Sequence, residues 1–343
     1  MLVVRNAVEN DLEPILELAR GIGPGMTTLK PDRASLRNRL GIVAASFAGQ
    51  AAAHEADYLF VLEDLAQRRV CGVSAIKGAV GVNEPFYNYR ISTSVHSSAD
   101  PLRVNRVQSL HLCHDLSGAS ELCSLYLHPD YRQGLNGKLL SKSRLLFIAQ
   151  FPQLFSQKIF AEMRGYLSAD GTSPFWESVG RHFFHMDFQE ADDRCGMGDR
   201  QFIELLVPRL PLYTHLLGRE AREAIGKTHP ETVPARRLLE QEGLNFDGFI
   251  DIFDAGPVLQ ANVRDLRAVR ESRRLEAKAG EPGGGTISLV ASTGRQAFRV
   301  IAAETDPHAA AAGFSPAALE ALACEAGAQV RVLPMSAPVS APR

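Results

Sequence analysis

The chain has 343 residues, 45% hydrophobic and 22% charged, with 37 Lys and Arg against 39 Asp and Glu. This is ordinary globular composition with ample length for a sizeable core, so one large domain with an appendage, or two domains, is expected. A formal net charge of -2 leaves no overall basic field for nucleic acid or an anionic membrane.

No apolar stretch is long enough to span a bilayer, and the start MLVVRNAVENDLEPI is acidic where a signal peptide needs a basic head and an apolar body. A soluble cytoplasmic enzyme is the expectation. The five cysteines (Cys71, Cys113, Cys123, Cys195 and Cys324) are scattered without CxxC spacing, so neither a disulfide framework nor a zinc site is indicated. Cys71 and Cys123 read as small core residues. Cys113 and His114 are neighbours on a strand-like run and point to opposite faces, which argues against a nucleophilic dyad. No ligand set accompanies His111 and His114, so no metal is expected.

Residues 2–5 (LVVR) alternate as a short strand, and Glu9 or Asn10 opens a helix in which Leu12, Ile15, Leu16 and Ala19 recur until the glycines at 21–25 stop it. Residues 33–53 read as a second helix. DYLFVLED and RVCGVSAIKGAVG read as two strands joined by a polar turn at 64–69. FYNYRISTSVH and SLHLCHDLSGASELCSLYL suggest further strands, 136–150 is a helix, and KIFAEMRG, bounded by Gly165, is the next strand. In an open sheet, ligands bind where such strands end and helices begin.

SPFWESVGRHFF (173–184) starts a helix with Ser173 as cap and Pro174 at the first helical position. Thr232-Val233-Pro234 opens a helix over 235–242, Gly243 closes it, and FDGFIDIFD alternates as a strand. From 276 the character changes. EAKAGEPGGGT is a loop by composition, followed by ISLVAS, AFRVIAA and QVRVLPM with a short helix at 315–324. These form a small β-rich appendage over 276–335, set off by a Gly-rich boundary at 283–285 with few contacts, and the tail 336–343 is expected to be disordered.

Chemistry concentrates first at 130–138, DYRQGLNGK, between the apolar run 122–127 and the helix from 136. Gly134 and Gly137 can turn backbone N–H groups inward, the helix adds the positive end of its dipole, and Arg132 and Lys138 add charge, which suits a pyrophosphate. Taken alone, such a turn is also plain punctuation before a helix.

The blocks YLFVLED, FYNYR, ELCSLYLHPDYRQGLNGKLLSKSRLLF, AEMRG, SPFWESVGRHFFHMDF, HPETVPARRLLEQEG and DGFIDIFDAGP, with the N-terminal twenty residues, cover nearly all of 1–275. Over these blocks the chain resembles the arginine N-succinyltransferases of the GNAT superfamily of coenzyme A-dependent N-acyltransferases. One departure is in the superfamily loop pattern Arg/Gln-x-x-Gly-x-Gly/Ala: counted from Arg132, Leu135 fills the first glycine slot, Gly134 sits one place early and Gly137 fills the second.

The resemblance implies a GNAT-like α+β fold over 1–275, a mixed and mostly antiparallel sheet flanked by helices. It implies transfer of succinyl from succinyl-CoA to the α-amine of L-arginine, giving N2-succinylarginine and CoA in arginine catabolism. Ornithine is a further substrate of some relatives, and a homo-oligomer or paired α and β subunits are expected. It places acyl-CoA contact at Leu125 and on the loop Arg132, Gly134, Asn136, Gly137 and Lys138, and the proton donor at His229.

Each of these residues has a plainer reading. Leu125 is ordinary strand core and His229-Pro230 is a structural turn. Glu162 and Arg164, both near the expected cleft, suit a guanidinium and a carboxylate but equally a salt bridge, since alternate strand residues share a face. Arg90, Arg181, Asp187, Asp251 and Asp254 are further substrate candidates, and His182 and His185 are packed core or substrate wall. Against the arginine enzyme stand another acyl-CoA:amino acid N-acyltransferase and a non-catalytic subunit of a heteromeric succinyltransferase.

Overall fold

Alternation and helical spacing resolve into elements in the expected order in the computed structural model, which describes residues 1–23, 25–97, 104–199, 201–280, 285–306 and 309–335. β1 (Leu2–Asn6) leads through a 3₁₀ turn into α1 (Leu12–Arg20), followed by α2 (Arg33–Ala48), β2 (Asp57–Asp64), β3 (Arg69–Lys77), β4 (Asn88–Ser97), β5 (Val104–Cys113) and β6 (Ser120–Leu127). Next come α3 (Asn136–Gln150), β7 (Lys158–Glu162), α4 (Arg181–Phe184), α5 (Phe188–Gly196), α6 (Gln201–Leu206), β8 (Leu212–Tyr213), α7 (Arg219–Ala224) and α8 (Val233–Gln241). β9 (Asn245–Ile250), β10 (Pro257–Asn262), α9 (Arg267–Glu271), β11 (Arg273–Ala279), β12 (Thr286–Ser292), β13 (Arg299–Thr305), β14 (Ala311–Phe314), α10 (Pro316–Leu322) and β15 (Gln329–Pro334) complete the chain.

Several boundaries move, each for a local reason. The second helix ends at Ala48 rather than 53, because Gly49 takes φ +80° and its N–H closes on Ala45 and Ser46 carbonyls. Ser173 does cap its helix, accepting the Trp176 N–H at 3.1 Å. That helix then widens into π turns over Trp176–Gly180, where a Cβ on Gly180 would lie 2.2 Å from the fully buried Trp176 ring. The strand from 158 stops at Glu162, and FDGFIDIFD stops pairing at Ile250, since Asp251 Oδ1 accepts the N–H groups of Phe253 and Asp254 and turns the chain. EAKA, expected as loop, is the end of β11, held between β14 and β15.

The described strands form one sheet in the order β14-β11-β15-β12-β13-β1-β2-β3-β6-β7-β10-β9-β4-β5-β8. Its pairings are antiparallel except β6 with β7 and β11 with β14, so the α+β architecture is the one the resemblance implies. The main core lies around α1, α2 and α3, with Phe60, Phe147 and Phe298 fully buried together. Trp176, Phe184 and Phe202 centre a second core by β4 and β9, and Leu275, Ile301 and Phe314 a third in the C-terminal strands.

The expected Gly-rich boundary falls largely on residues 281–284, which, like the tail 336–343, lie outside the described residues; the strands after it are joined to the main body. β13 pairs with β1, Phe298 packs 4.9 Å from Phe147, Lys142 donates to the Met335 carbonyl at 3.2 Å and Arg331 to Gln150 at 2.8 Å.

Candidate active site

β6 and β7 run parallel but pair only at Ser120 with Ile159 and Glu121 with Phe160. Beyond that point they part, leaving the edge of β6 from Leu122 to Leu127 open on that side. The cause is a bulge: Ser124 takes φ +51° and the register of β6 on β3 shifts between Val73 and Ala75. A serine at positive φ needs support. Its N–H donates to Thr28 Oγ1 at 3.2 Å, its hydroxyl donates to the Thr28 carbonyl at 3.1 Å, and Arg39 donates to both Ser124 Oγ and that carbonyl. Arg39 is in turn held by Asp57, which also accepts from Lys77 at 2.6 Å. Burial alone would raise Asp57, but these two cations bring it down to about 2. On the other side Arg144, 1% exposed, donates to the Cys123 carbonyl at 3.3 Å. Leu125 follows the bulge, half-buried against the main core.

After β6 the chain makes a 3₁₀ turn over Pro129–Tyr131 and enters α3 with no side-chain cap at Leu135; the Asn136 N–H bonds the Gln133 carbonyl at 3.3 Å, and the Gly137 and Lys138 N–H groups behind it are offered outward. Gly134 takes φ +58°, which supplies the turn despite the displaced glycine slot. A Cβ on Gly134 or Gly137 would meet nothing within 4 Å. Asn136 donates to the Tyr131 carbonyl at 3.0 Å and fixes the loop. Arg132 folds back, donating Nε to the Leu127 carbonyl at 2.9 Å with its guanidinium 5.6 Å from the Tyr126 ring centre.

Arg164 and His229 meet just beyond the end of β7, two residues after Glu162. The His229 N–H donates to the Arg164 carbonyl at 2.8 Å, next to a Gly165–Thr228 bridge. His229 Nδ1 accepts the Glu231 N–H at 3.3 Å, which assigns the proton of the neutral ring to Nε2. Burial and then Arg164 lower its pKa below the ordinary 6.5, against the pull of Glu231. Glu162 and Arg164 make no salt bridge with each other. Glu162 accepts from Asn88 Nδ2 at 2.8 Å, whereas Arg164 lies 3.7 Å from Glu231 and keeps a buried Nε without a partner. Asp254 gives both carboxylate oxygens to backbone N–H groups, those of Gly165 and Gly256. Burial, then the neighbouring carboxylates, push Glu162 and Asp254 well above the usual range.

The other sequence candidates lie elsewhere or are otherwise engaged. Arg90 on β4 sits 4.4 Å over the Phe249 ring, near Asp247. Arg181 pairs with Glu177 and Asp187, and all three are at the surface. His182 and His185 are exposed, not packed core, because the π turns rotate Phe184 inward in their place. Asn88 and the Ser124 bulge were not legible in the sequence: the first is brought to Glu162 only by strand order, and nothing in ELCSLYL marks a residue with positive φ. Among the described residues no group of three or more His, Cys, Asp or Glu side chains could hold a metal ion, and no helix is long and apolar enough to cross a membrane.

Residues 2–268 match the family "Arginine N-succinyltransferase beta subunit", and residues 273–334 match the C-terminal domain of that subunit. The chain belongs to the arginine N-succinyltransferase family. It is 47% identical over 341 residues to the arginine N-succinyltransferase subunit beta of Pseudomonas aeruginosa, covering 98% of this chain and 99% of that protein. It is 43% identical over 339 residues to an arginine N-succinyltransferase of Escherichia coli O139:H28, covering 98% of each. Among solved structures, the arginine/ornithine succinyltransferase subunit AI of P. aeruginosa superposes with a TM-score of 0.89 at 36% identity, over 98% of this chain and 99% of that one. As a member of an acyltransferase family, this arginine N-succinyltransferase homologue takes an acyl-CoA as co-substrate, which fits an opened strand edge feeding an uncapped helix.

Proposed function

We propose that the chain transfers the succinyl group of succinyl-CoA to the α-amine of L-arginine, giving N2-succinylarginine and CoA. The observation that carries this is the hydrogen bond that holds His229 to Arg164 just past Glu162 and the end of β7, on the side where β6 and β7 part. The pyrophosphate of the donor lies on the N–H groups at the start of α3, with Gly134, Asn136, Gly137, Lys138 and Arg132 around it. The thioester lies along the open edge of β6 at Leu125.

The amine nitrogen attacks the thioester carbonyl carbon, the C–S bond breaks, the nitrogen gives up a proton and the sulfur gains one. His229 supplies that last proton, which matters because a thiol of pKa about 8.5 leaves more readily protonated. Arg164, with a buried unpaired Nε, suits a carboxylate of the acceptor or of the succinyl group, and Glu162 suits a cation. Arg90 remains a more distant substrate contact. The reaction is placed in the cytoplasm, in a homo-oligomer or beside a paired subunit.

The test is thiol release across succinyl- and acetyl-CoA with arginine, ornithine and lysine. Turnover of arginine with succinyl-CoA by the purified single chain is expected. Because the Pseudomonas relatives are named as subunits, a second reading is a chain silent alone. No turnover alone, with turnover restored by a partner subunit, would establish it.

A further inference from the structure

We propose that the small cavity bounded by Glu162 and Asp251 is the subsite for the guanidinium end of the acceptor amino acid. This rests on the reading that arginine is the acceptor and names the groups that would recognise its side chain. The cavity, about 60 Å³, is lined by these carboxylates together with Thr27, Phe86, Tyr87 and Phe253.

Its charge is unbalanced. Among the described residues no cationic side chain forms an ion pair with Glu162, Asp251 or Asp254, and the nearby Lys30 is already spent on Asp192 and Asp193. Its hydrogen-bonding capacity is unbalanced in the same sense. Asn88, 1% exposed, gives Nδ2 to Glu162 and leaves Oδ1, an acceptor, with no partner beside that carboxylate. The cavity thus presents two carboxylates, one of them backed by the unpartnered Asn88 oxygen, and no cationic side chain. A guanidinium supplies the positive charge, with five N–H groups in a plane that the aromatic walls can cover.

Among the described residues no third His, Cys, Asp or Glu side chain joins these two carboxylates in a group that could hold a metal ion. The subsite is also well placed for the reaction. Glu162 precedes by two residues Arg164, whose carbonyl holds the His229 N–H, so the cavity and the proton donor flank the same end of β7.

Asp251→Asn and Glu162→Gln test this, since both keep the oxygen that accepts the existing hydrogen bonds. Binding of L-arginine and of L-citrulline, its neutral isostere, is measured by calorimetry on the full chain, alongside the KM of each acceptor. The wild type should prefer arginine. Each variant should weaken arginine roughly 10- to 100-fold, the range for losing a charged hydrogen bond, and leave citrulline and the donor KM nearly unchanged. A wild type that binds both alike overturns the proposal. So do folded variants that keep the arginine preference, or that lose kcat for both acceptors equally at unchanged KM. Thermal melts identify a variant that does not fold, in which case the other decides. Preferential arginine binding without succinyl transfer would sink the activity and leave the subsite standing.

Discussion

His229 is held by its backbone to Arg164 and by Nδ1 to the Glu231 N–H, so its ring is fixed before any ligand arrives. Replacing it with alanine should lower kcat about 10²- to 10⁴-fold with little change in either KM, as for a group that acts in the transition state. Its pKa is depressed by burial and Arg164, so the imidazolium is present below the lowered value and lost as pH rises through it. The alkaline limb of kcat/KM should therefore lie below 6.5 and vanish in the variant; a limb unchanged by the substitution would assign the proton to another group. Glu162 gives an opposite lesson. Its folded pKa is raised by burial and by Asp251, so its contribution to stability is greatest below the ordinary value of 4.5 and declines as pH rises. Glu162→Gln should raise Tm at pH 7, by on the order of 1–2 °C for each ~1 kcal/mol of charge burial and repulsion removed, with the gain vanishing near pH 4. An equal gain at both pH values would mean that repulsion is not its source. Such a gain would fit a group kept for a ligand rather than for the fold.

At the scale of elements, the donor side of the site depends on β6 parting from β7 and on α3 beginning without a cap. The sequence carried the second of these in full, since helical spacing and two glycines mark 136 as a start and α3 begins there. The parting of the strands was not readable, because it depends on Ser124 at positive φ held by Thr28, Arg39 and Asp57, residues far apart in sequence. Likewise Asn88 and Asp251 reach Glu162 only through the order β7-β10-β9-β4, which periodicity cannot supply. His229 was located by resemblance, not by spacing. Gly137→Val checks the loop: its Cβ would meet nothing within 4 Å in the free protein, so the fold should survive while the branched side chain blocks close approach of a pyrophosphate. A donor KM raised tenfold or more, at an unchanged melting temperature, is the expected result. Unaltered CoA binding by the folded variant would move the phosphates off this loop.

At the scale of the whole molecule, the C-terminal strands match a domain of their own at 273–334 yet continue the main sheet through β13 and β1. They also complete its core: Phe298, Leu333 and Met335 are buried in the same cluster as Phe60 and Phe147. A buried ionic group ties the halves together. Glu242, fully buried, accepts from Lys142 and Arg267 at 2.8 Å each, and those cations also donate to the carbonyls of Met335 and Pro334. Taking away residues 282–343 would expose aromatic core and leave two buried cations short of acceptors, and breaking such an arrangement from one side is costly. The truncated chain is therefore expected to be insoluble or to lack cooperative unfolding. Phe298→Ala gives the graded version, a loss of about 3–5 kcal/mol measured by denaturant unfolding, since the ring leaves a cavity against Phe60 and Phe147 that a fully packed site cannot close. A truncated chain that unfolds cooperatively and still binds acyl-CoA would show instead that the first 281 residues close their own core and that the added strands only lie upon it.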